Sequence, residues 1–475
     1  WPLFHYFYSF MEYDNRHWDM YQEINKLFCK ESCKLIQSGD IVWVQDYHLM
    51  LLPKMLRDKI SNIKIGYFHH VPFPSYELFR VLPERAEILH GLLGADLIGF
   101  HTFDYVRHFA SAVYRVLKFP FQLDNVCLER HKSYVNAFPM GINYELYHNT
   151  ASKTEIQNHV VELKKNYGKN KLILSVDRLD YSKGIVHRIK GFGLFLKNHP
   201  EYRGEVSLVM IIVPSRDTVG RYAKLKKIID EKIGAINGKY STINWTPVHY
   251  FYHSFEFNDL VAMYSMADIA LITSLRDGMN LVAKEYVAAK QDTGVLILSE
   301  MAGSAAELRD AIIINPNDIK QIENAIMKAL NMPVVEQKRR IKRMQGILSH
   351  QTVKKWANDF ISQLEDSYDK NKKLHETEIN NTNYKPIYDA YQSASRRLLI
   401  FDYDGTLTEF KDNPEDAYPS DDIIDFLKQL SMDKKNNIVI SSGRDRETLE
   451  KWFGKLSINM AAEHGVAYKE NGIWH

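Results

Sequence analysis

The chain has 475 residues, beyond the size at which a single hydrophobic core usually stops growing, so two or three domains are expected. Hydrophobic residues at 45% and charged residues at 25% describe an ordinary globular composition. The 61 Lys and Arg against 59 Asp and Glu give only +2, too even for a protein built to wrap nucleic acid, and no apolar run approaches membrane-spanning length. Cys29, Cys33 and Cys127 are too few for a disulfide scaffold and point to a reducing, cytoplasmic compartment. Cys29 and Cys33 share a helix face and read as ordinary helix positions rather than a metal pair. Oligomeric state is not written in these features, and a homo-oligomer stays open. Trp1 opens the sequence where Met would be expected, and it stops abruptly at His475, so both ends read as cut.

Along the chain, short β-rich runs alternate with helical patterns. A first series comprises Ile41–Val44, Ile63–Phe68, Leu97–Phe100 and Tyr134–Phe138. A second comprises Leu172–Val176, Val206–Val213, Val248–Tyr252, Ile269–Thr273, Val295–Leu298 and Ala311–Ile314. Continuous apolar strands between helices imply α/β architecture with parallel sheets covered on both faces. Two series imply two doubly wound domains facing a cleft, over residues 1–150 and 151–368, the last helix being free to pack back on the first domain. Residues 369–394 are polar and read as an exposed linker, and a third domain opens near Ser395 and runs to 475.

In open α/β sheets the ligand sits beyond the carboxyl ends of the strands. In the first domain, Asp46 and His48 follow one strand, and His69-His70 end the next, before a loop stiffened by Pro72 and Pro74. In the second, Arg178 and Lys183 leave one strand tip together, a planar fork beside a mobile point charge suited to a diphosphate. Arg216 follows Pro214 at another tip, where it either grips a phosphate or pairs with Asp217. At a third tip, Asp277-Gly278 turns the chain into a helix opening near Asn280. Glycine permits close backbone approach there, and the unpaired N–H groups of a helix start suit an anion. Glu285, a little over one turn on, has the reach to accept hydrogen bonds from a ribose. The bland alternative has Asp277 capping the helix and Glu285 pairing with Lys284 or solvent.

The segments VDRLDYSKG (176–184), VPSRD (213–217) and SLRDGMNLVAKEYVAA (274–289), with WPLFHY at residues 1–6, resemble the trehalose-6-phosphate synthase family over Trp1 to Tyr368. Members are retaining glycosyltransferases of the GT-B fold. The resemblance implies transfer of glucose from UDP-glucose to glucose 6-phosphate to give trehalose 6-phosphate. By position, Arg178 and Lys183 meet the donor diphosphate, and Asp277 meets the donor glucose beside Gly278, Met279 and Asn280. Leu281 and Glu285 complete the nucleotide site. His70 faces the donor glucose, Asp46 and Trp1 the acceptor sugar, and Arg216 the acceptor phosphate. Asp46, His70, Arg178, Lys183 and Asp277 are the catalytic set. No carboxylate stands out as a nucleophile, which agrees with the front-face attack attributed to the family, and two cations neutralising the diphosphate make a cofactor unnecessary. No residue decides between uridine, guanosine and adenosine, of which uridine is the family's commonest choice. The rival readings are a related synthase with another phosphorylated acceptor, such as glycerol 3-phosphate, and a silent sugar-phosphate-binding regulator. The family's first strand and glycine-rich loop would precede Trp1, so weak activity or none is expected of this piece.

The segment DYDGTLT (402–408), with SSGR (441–444) and AEHG (462–465), resembles the opening of a haloacid-dehalogenase-type trehalose-6-phosphate phosphatase. There Asp402 would be the nucleophile and Asp404 the general acid/base, with Ser442 on the phosphoryl group. Asp402 and the Asp404 carbonyl would help hold Mg²⁺. The later motifs of that domain are expected beyond His475, so this part is expected to be inactive as it stands and the parent protein to be bifunctional.

Overall fold

The computed structural model describes residues 1–60, 62–128, 131–215, 220–377, 384–409, 411 and 413–475. The chain divides into two compact units, Trp1–His375 and Glu376–His475.

The first unit holds two sheets. Strands β1 (Ile41–Gln45), β2 (Lys64–His69), β3 (Leu97–Phe100), β4 (Phe121–Gln122), β5 (Asn125–Cys127) and β6 (Lys132–Ala137) form one, in the order β1-β2-β3-β6-β5-β4. Every residue of β3 and all but the first of β2 are buried, as expected of strands covered on both faces. The sheet is not wholly parallel, because β5 pairs antiparallel with β6 and β4 with β5. That short hairpin carries no apolar run to announce it.

The second sheet is fully parallel: β7 (Lys171–Arg178), β8 (Val206–Val213), β9 (Val248–Phe251), β10 (Ile269–Ile272), β11 (Val295–Ser299) and β12 (Ile312–Ile314), in the order β12-β11-β10-β7-β8-β9. Three helices matter for the site: α1 (Ile185–Asn198), α2 (Leu281–Ala289) and α3 (Val353–Thr377). The first crosses from β7 to β8, and the second starts just beyond β10.

Helix α3 returns to the first sheet. Phe360 stacks on Trp43 with centroids 4.5 Å apart, and Phe360 and Leu364 join Phe68, Leu97, Tyr134 and Phe138 in one core cluster. The chain thus crosses between the lobes twice, and the crossings touch where Val353 N–H donates to the Ile142 carbonyl at 3.0 Å. The helix continues into the stretch expected as a linker. Asn371 there is buried, donating to Asp96 (3.2 Å) and to the Lys132 carbonyl (2.9 Å). Trp356, Phe360, Leu364, Ser367 and Asn371 recur at helical spacing, a pattern that polar composition alone conceals.

In the second unit, residues 385–393 are helical. Strands β13 (Arg397–Asp402), β14 (Asn436–Ser441) and β15 (Asn459–Ala462) run parallel, followed by the antiparallel β16 (Ala467–Glu470) and β17 (Ile473–Trp474). Among the described residues, no helix is long and apolar enough to cross a membrane.

Candidate active site

Strand ends from both lobes of the first unit meet around a cleft of about 420 Å³. Trp1, Asp46 and His70 line it from the first lobe. Arg178, Lys183, Asp277, Gly278, Met279, Asn280 and Leu281 line it from the second. Ten residues singled out from separate motifs therefore share one cavity.

Asp277 is the electrostatic centre of the second lobe's wall. Its carboxylate accepts from Lys183 Nζ at 2.6 Å and from Asn280 Nδ2 at 2.9 Å. Burial pushes its carboxyl up, but the Lys183 charge and these hydrogen bonds outweigh burial and hold it below the usual carboxylate range. Lys183 is raised by the same pairing, against its own burial. The helix cap falls to Asn280, whose side chain accepts from Ala283 N–H at 3.0 Å, so Asp277 stays free of that task. Gly278 touches the opposite lobe: a Cβ built there would lie 2.1 Å from the His70 carbonyl oxygen.

Arg178 differs from Lys183. It is exposed at the end of β7 and makes no ion pair or hydrogen bond among the described residues. The residue before it, Asp177, is buried and paired with the fully buried Arg188 of α1 at 2.6 Å. Arg188 also donates to Thr273 Oγ1 at 3.1 Å, tying the base of the β7 loop to the end of β10. Sequence spacing gave no sign of this pair, which joins two elements through a turn.

On the first lobe, Asp46 adopts a left-handed backbone (φ 66°) that turns the chain out of β1. Its Oδ1 accepts the His70 main-chain N–H at 3.2 Å, and Gln45 Oε1 lies 2.7 Å from His70 Nε2. Trp1 lies over His5, with ring centroids 3.8 Å apart. His5, Val71, His101, Met140, Asp177 and Val282 also line the cleft. His5 was available within WPLFHY; Met140 had no motif to mark it. His69 sits behind the wall, fully buried against the Tyr67 hydroxyl, and His48 is exposed and away from this cleft.

The expectation for Glu285 takes a different form. Glu285 does not line the cleft; it is half-buried and accepts from the Tyr264 hydroxyl at 2.8 Å. It does not pair with Lys284, which is buried, pairs with Glu307 and donates to the Met140 carbonyl at 2.7 Å. Residue 284 points inward while 285 faces Tyr264, a consequence of the 100° step between helix neighbours. Arg216 and Asp217 lie outside the described residues.

The histidines of this region are held neutral. Burial lowers His5 and His69 to about 4, and lowers His70 and His101 as well. A folded-state value below the unfolded one means the unfolded chain binds protons first on acidification. Stability is therefore full above about pH 6.5 and is lost as the pH falls from there towards 4, by on the order of 3 kcal/mol for each of His5 and His69. Thermal melts between pH 7.5 and 5 should show a falling melting temperature, and a flat profile would contradict this burial.

In the second unit, Asp402 ends β13 opposite Ser441 of β14, which brings Ser442 alongside. Asp402 is exposed and accepts from Thr406 Oγ1 at 3.3 Å. Asp404 is held by Arg444 at 2.6 and 2.9 Å, a contact the motifs did not foretell, and Ser442 Oγ accepts the Arg444 N–H at 3.1 Å. Mg²⁺ keeps several waters and needs only one or two carboxylates, so an exposed Asp402 fits the ion.

A family model described as Glycosyltransferase family 20 matches residues 1–366. The chain belongs to glycosyltransferase family 20. A second model, Trehalose-phosphatase, matches residues 400–475. This family 20 chain is 40% identical over 477 residues to a bifunctional trehalose-6-phosphate synthase/phosphatase of Thermoproteus tenax, covering 99% of itself and 65% of that relative. It thus spans just under two thirds of that relative's length. An α,α-trehalose-phosphate synthase (UDP-forming) from Burkholderia xenovorans, solved with glucose-6-phosphate, matches at TM-score 0.74 and 33% identity, over 77% of this chain and 82% of that one. An E. coli trehalose-6-phosphate structure bound with UDP-2-fluoro glucose also matches at TM-score 0.74 and 33% identity, over 77% and 81%. The family 20 region therefore has the GT-B fold, with two doubly wound lobes facing a cleft.

Proposed function

We propose that the first unit transfers glucose with retention from UDP-glucose to glucose 6-phosphate, giving trehalose 6-phosphate and UDP. One observation carries this reading: Arg178, unpaired among the described residues, and a paired Lys183 leave one strand end facing the helix start after Gly278, with Asp46, His70 and Trp1 across the same cleft. The relatives' UDP-forming chemistry and their complexes with glucose-6-phosphate and UDP-2-fluoro glucose favour these substrates. Arg216 remains the proposed holder of the acceptor phosphate and Glu285 of the ribose.

Among the described residues the cleft offers three carboxylates. Asp177 is bound to Arg188, Asp277 to Lys183 and Asn280, and Asp46 accepts the His70 N–H. None is left as an unencumbered nucleophile, which favours attack assisted by the leaving group. In this scheme the C1–O bond to the diphosphate breaks, and its electron pair passes to the departing oxygen under the charge of Arg178 and Lys183. The acceptor hydroxyl bonds to C1 on the same face and gives its proton to that phosphate oxygen. The protein's part is to hold both sugars in line and stabilise the developing charge.

For the second unit we propose phosphate-ester hydrolysis in the full-length protein: Asp402 attacks phosphorus as the P–O ester bond breaks, Asp404, oriented by Arg444, gives a proton to the departing oxygen, and water then cleaves the aspartyl-phosphate to free phosphate. Mg²⁺ on Asp402 and the Asp404 carbonyl would neutralise phosphoryl charge when bound. The scarcity of cysteine and three free thiols favour a reducing, cytoplasmic setting.

The test offers the full-length protein UDP-, GDP- and ADP-glucose, each with glucose 6-phosphate or glycerol 3-phosphate, and follows nucleotide, disaccharide phosphate and free phosphate. Trehalose 6-phosphate from UDP-glucose and glucose 6-phosphate is the expected product. Transfer only to glycerol 3-phosphate, or tight binding of both substrates without transfer, overturns the assignment.

A further inference from the structure

Gln45 ends β1 immediately before Asp46 and meets the ring of His70, which follows the neighbouring strand β2. Its Oε1 lies 2.7 Å from His70 Nε2. An amide oxygen is an acceptor only, so the ring nitrogen facing it carries the proton. We propose that Gln45 is a positioning residue: it fixes neutral His70 as the Nε2–H tautomer and leaves Nδ1 as an acceptor for a substrate hydroxyl.

Several observations point the same way. The buried nitrogens His69 Nε2 and His101 Nδ1 are sealed without hydrogen-bond partners, whereas neither nitrogen of His70 is so sealed, and His70 lines the cleft. The ring is walled by Phe68 at 4.8 Å, His101 at 5.5 Å and Trp356 at 6.1 Å between centroids, which limits its rotation. Asp46, the nearest carboxylate, accepts the main-chain N–H of His70 rather than a ring nitrogen. The charged and titratable groups around the imidazole are Asp46 and His101 and, lining the same cleft, His5, Arg178, Lys183 and Asp277, with His69 behind the wall. Among them Gln45 supplies what a carboxylate could not: an acceptor that orients the ring without drawing a second proton onto it. The orienting partner of an imidazole sets which nitrogen is available, and on metal-bound histidines losing such a partner costs about 10–100-fold.

The role rests on His70 facing the donor sugar, so the experiment separates the two. Gln45→Glu places a carboxylate against Nε2, and the His70 ring should then titrate about one pH unit or more higher, read by NMR of ¹⁵N-histidine-labelled protein without substrate, with His70→Asn assigning the signal. The acidic limb of kcat/KM for transfer should move up by the same amount, and above that limb the rate should return towards wild type, because Glu keeps the acceptor oxygen. Gln45→Leu should lower kcat/KM about tenfold or more at every pH, with the melting temperature kept. A ring that titrates alike in Gln45→Glu and wild type, or wild-type kcat/KM in Gln45→Leu, overturns the proposal. A shifted ring in a protein that transfers no glucose removes the proposed reaction and the positioning role with it, while the bond itself is confirmed.

Discussion

Arg178→Ala is expected to lower kcat for glucosyl transfer by about 10²–10³-fold while leaving the melting temperature within about 2 °C of wild type. The side chain is exposed and unpaired among the described residues, so the fold loses no contact. Its charge matters only once a diphosphate occupies the cleft. Lys183→Met provides the contrast. It too should abolish most turnover, but it strips the partner from Asp277, whose carboxylate is nearly buried. Breaking a buried pair from one side costs about 3–5 kcal/mol, so this variant should also melt markedly earlier. Steady-state kinetics and thermal melts on both variants check the distinction. An Arg178→Ala enzyme within about tenfold of wild type would end the diphosphate assignment.

Gly278→Ala should be nearly as damaging through a different cause. The added methyl would sit 2.1 Å from the His70 main-chain oxygen, a group that cannot rotate away. The lobes must separate or the Asp277–Asn280 turn must shift. Overpacking of this kind costs about 1–3 kcal/mol, but the kinetic effect is expected to be larger, about 10²-fold in kcat/KM, because a displacement near 1 Å is enough to misalign reacting atoms. Near-wild-type kcat/KM in Gly278→Ala would mean that transfer does not require the lobes to approach this closely.

The chain gave up its parallel strands readily, because runs such as Val206–Val213 are apolar but for Ser207 and buried from end to end, apart from a half-buried Val213. The hairpin β4–β5 escaped because strands of two and three residues carry no period to detect. The far end of α3 was obscured because its charged outer face dominates the composition and only every third or fourth residue touches the sheet. At the cleft, residues next to a strand end could be named from motifs, and ten of them line one cavity. What could not be read was the company each side chain keeps. Lys183 and Arg178 look equivalent in sequence, yet one is neutralised by Asp277 and the other is free among the described residues. Glu285 met Tyr264 instead of Lys284, and Asp177 found Arg188 across a turn, both settled by packing between separate elements rather than by spacing within one.

The return of α3 to the first sheet has a topological meaning. The polypeptide leaves the first lobe near Ile142 and comes back at Val353, so the second lobe is an insertion between a sheet and the helix that completes it. The two tethers run side by side, joined by a parallel bridge between Ile142 and Thr352. Any change in the angle between the lobes must therefore be carried by these two segments, while both sheets keep every strand.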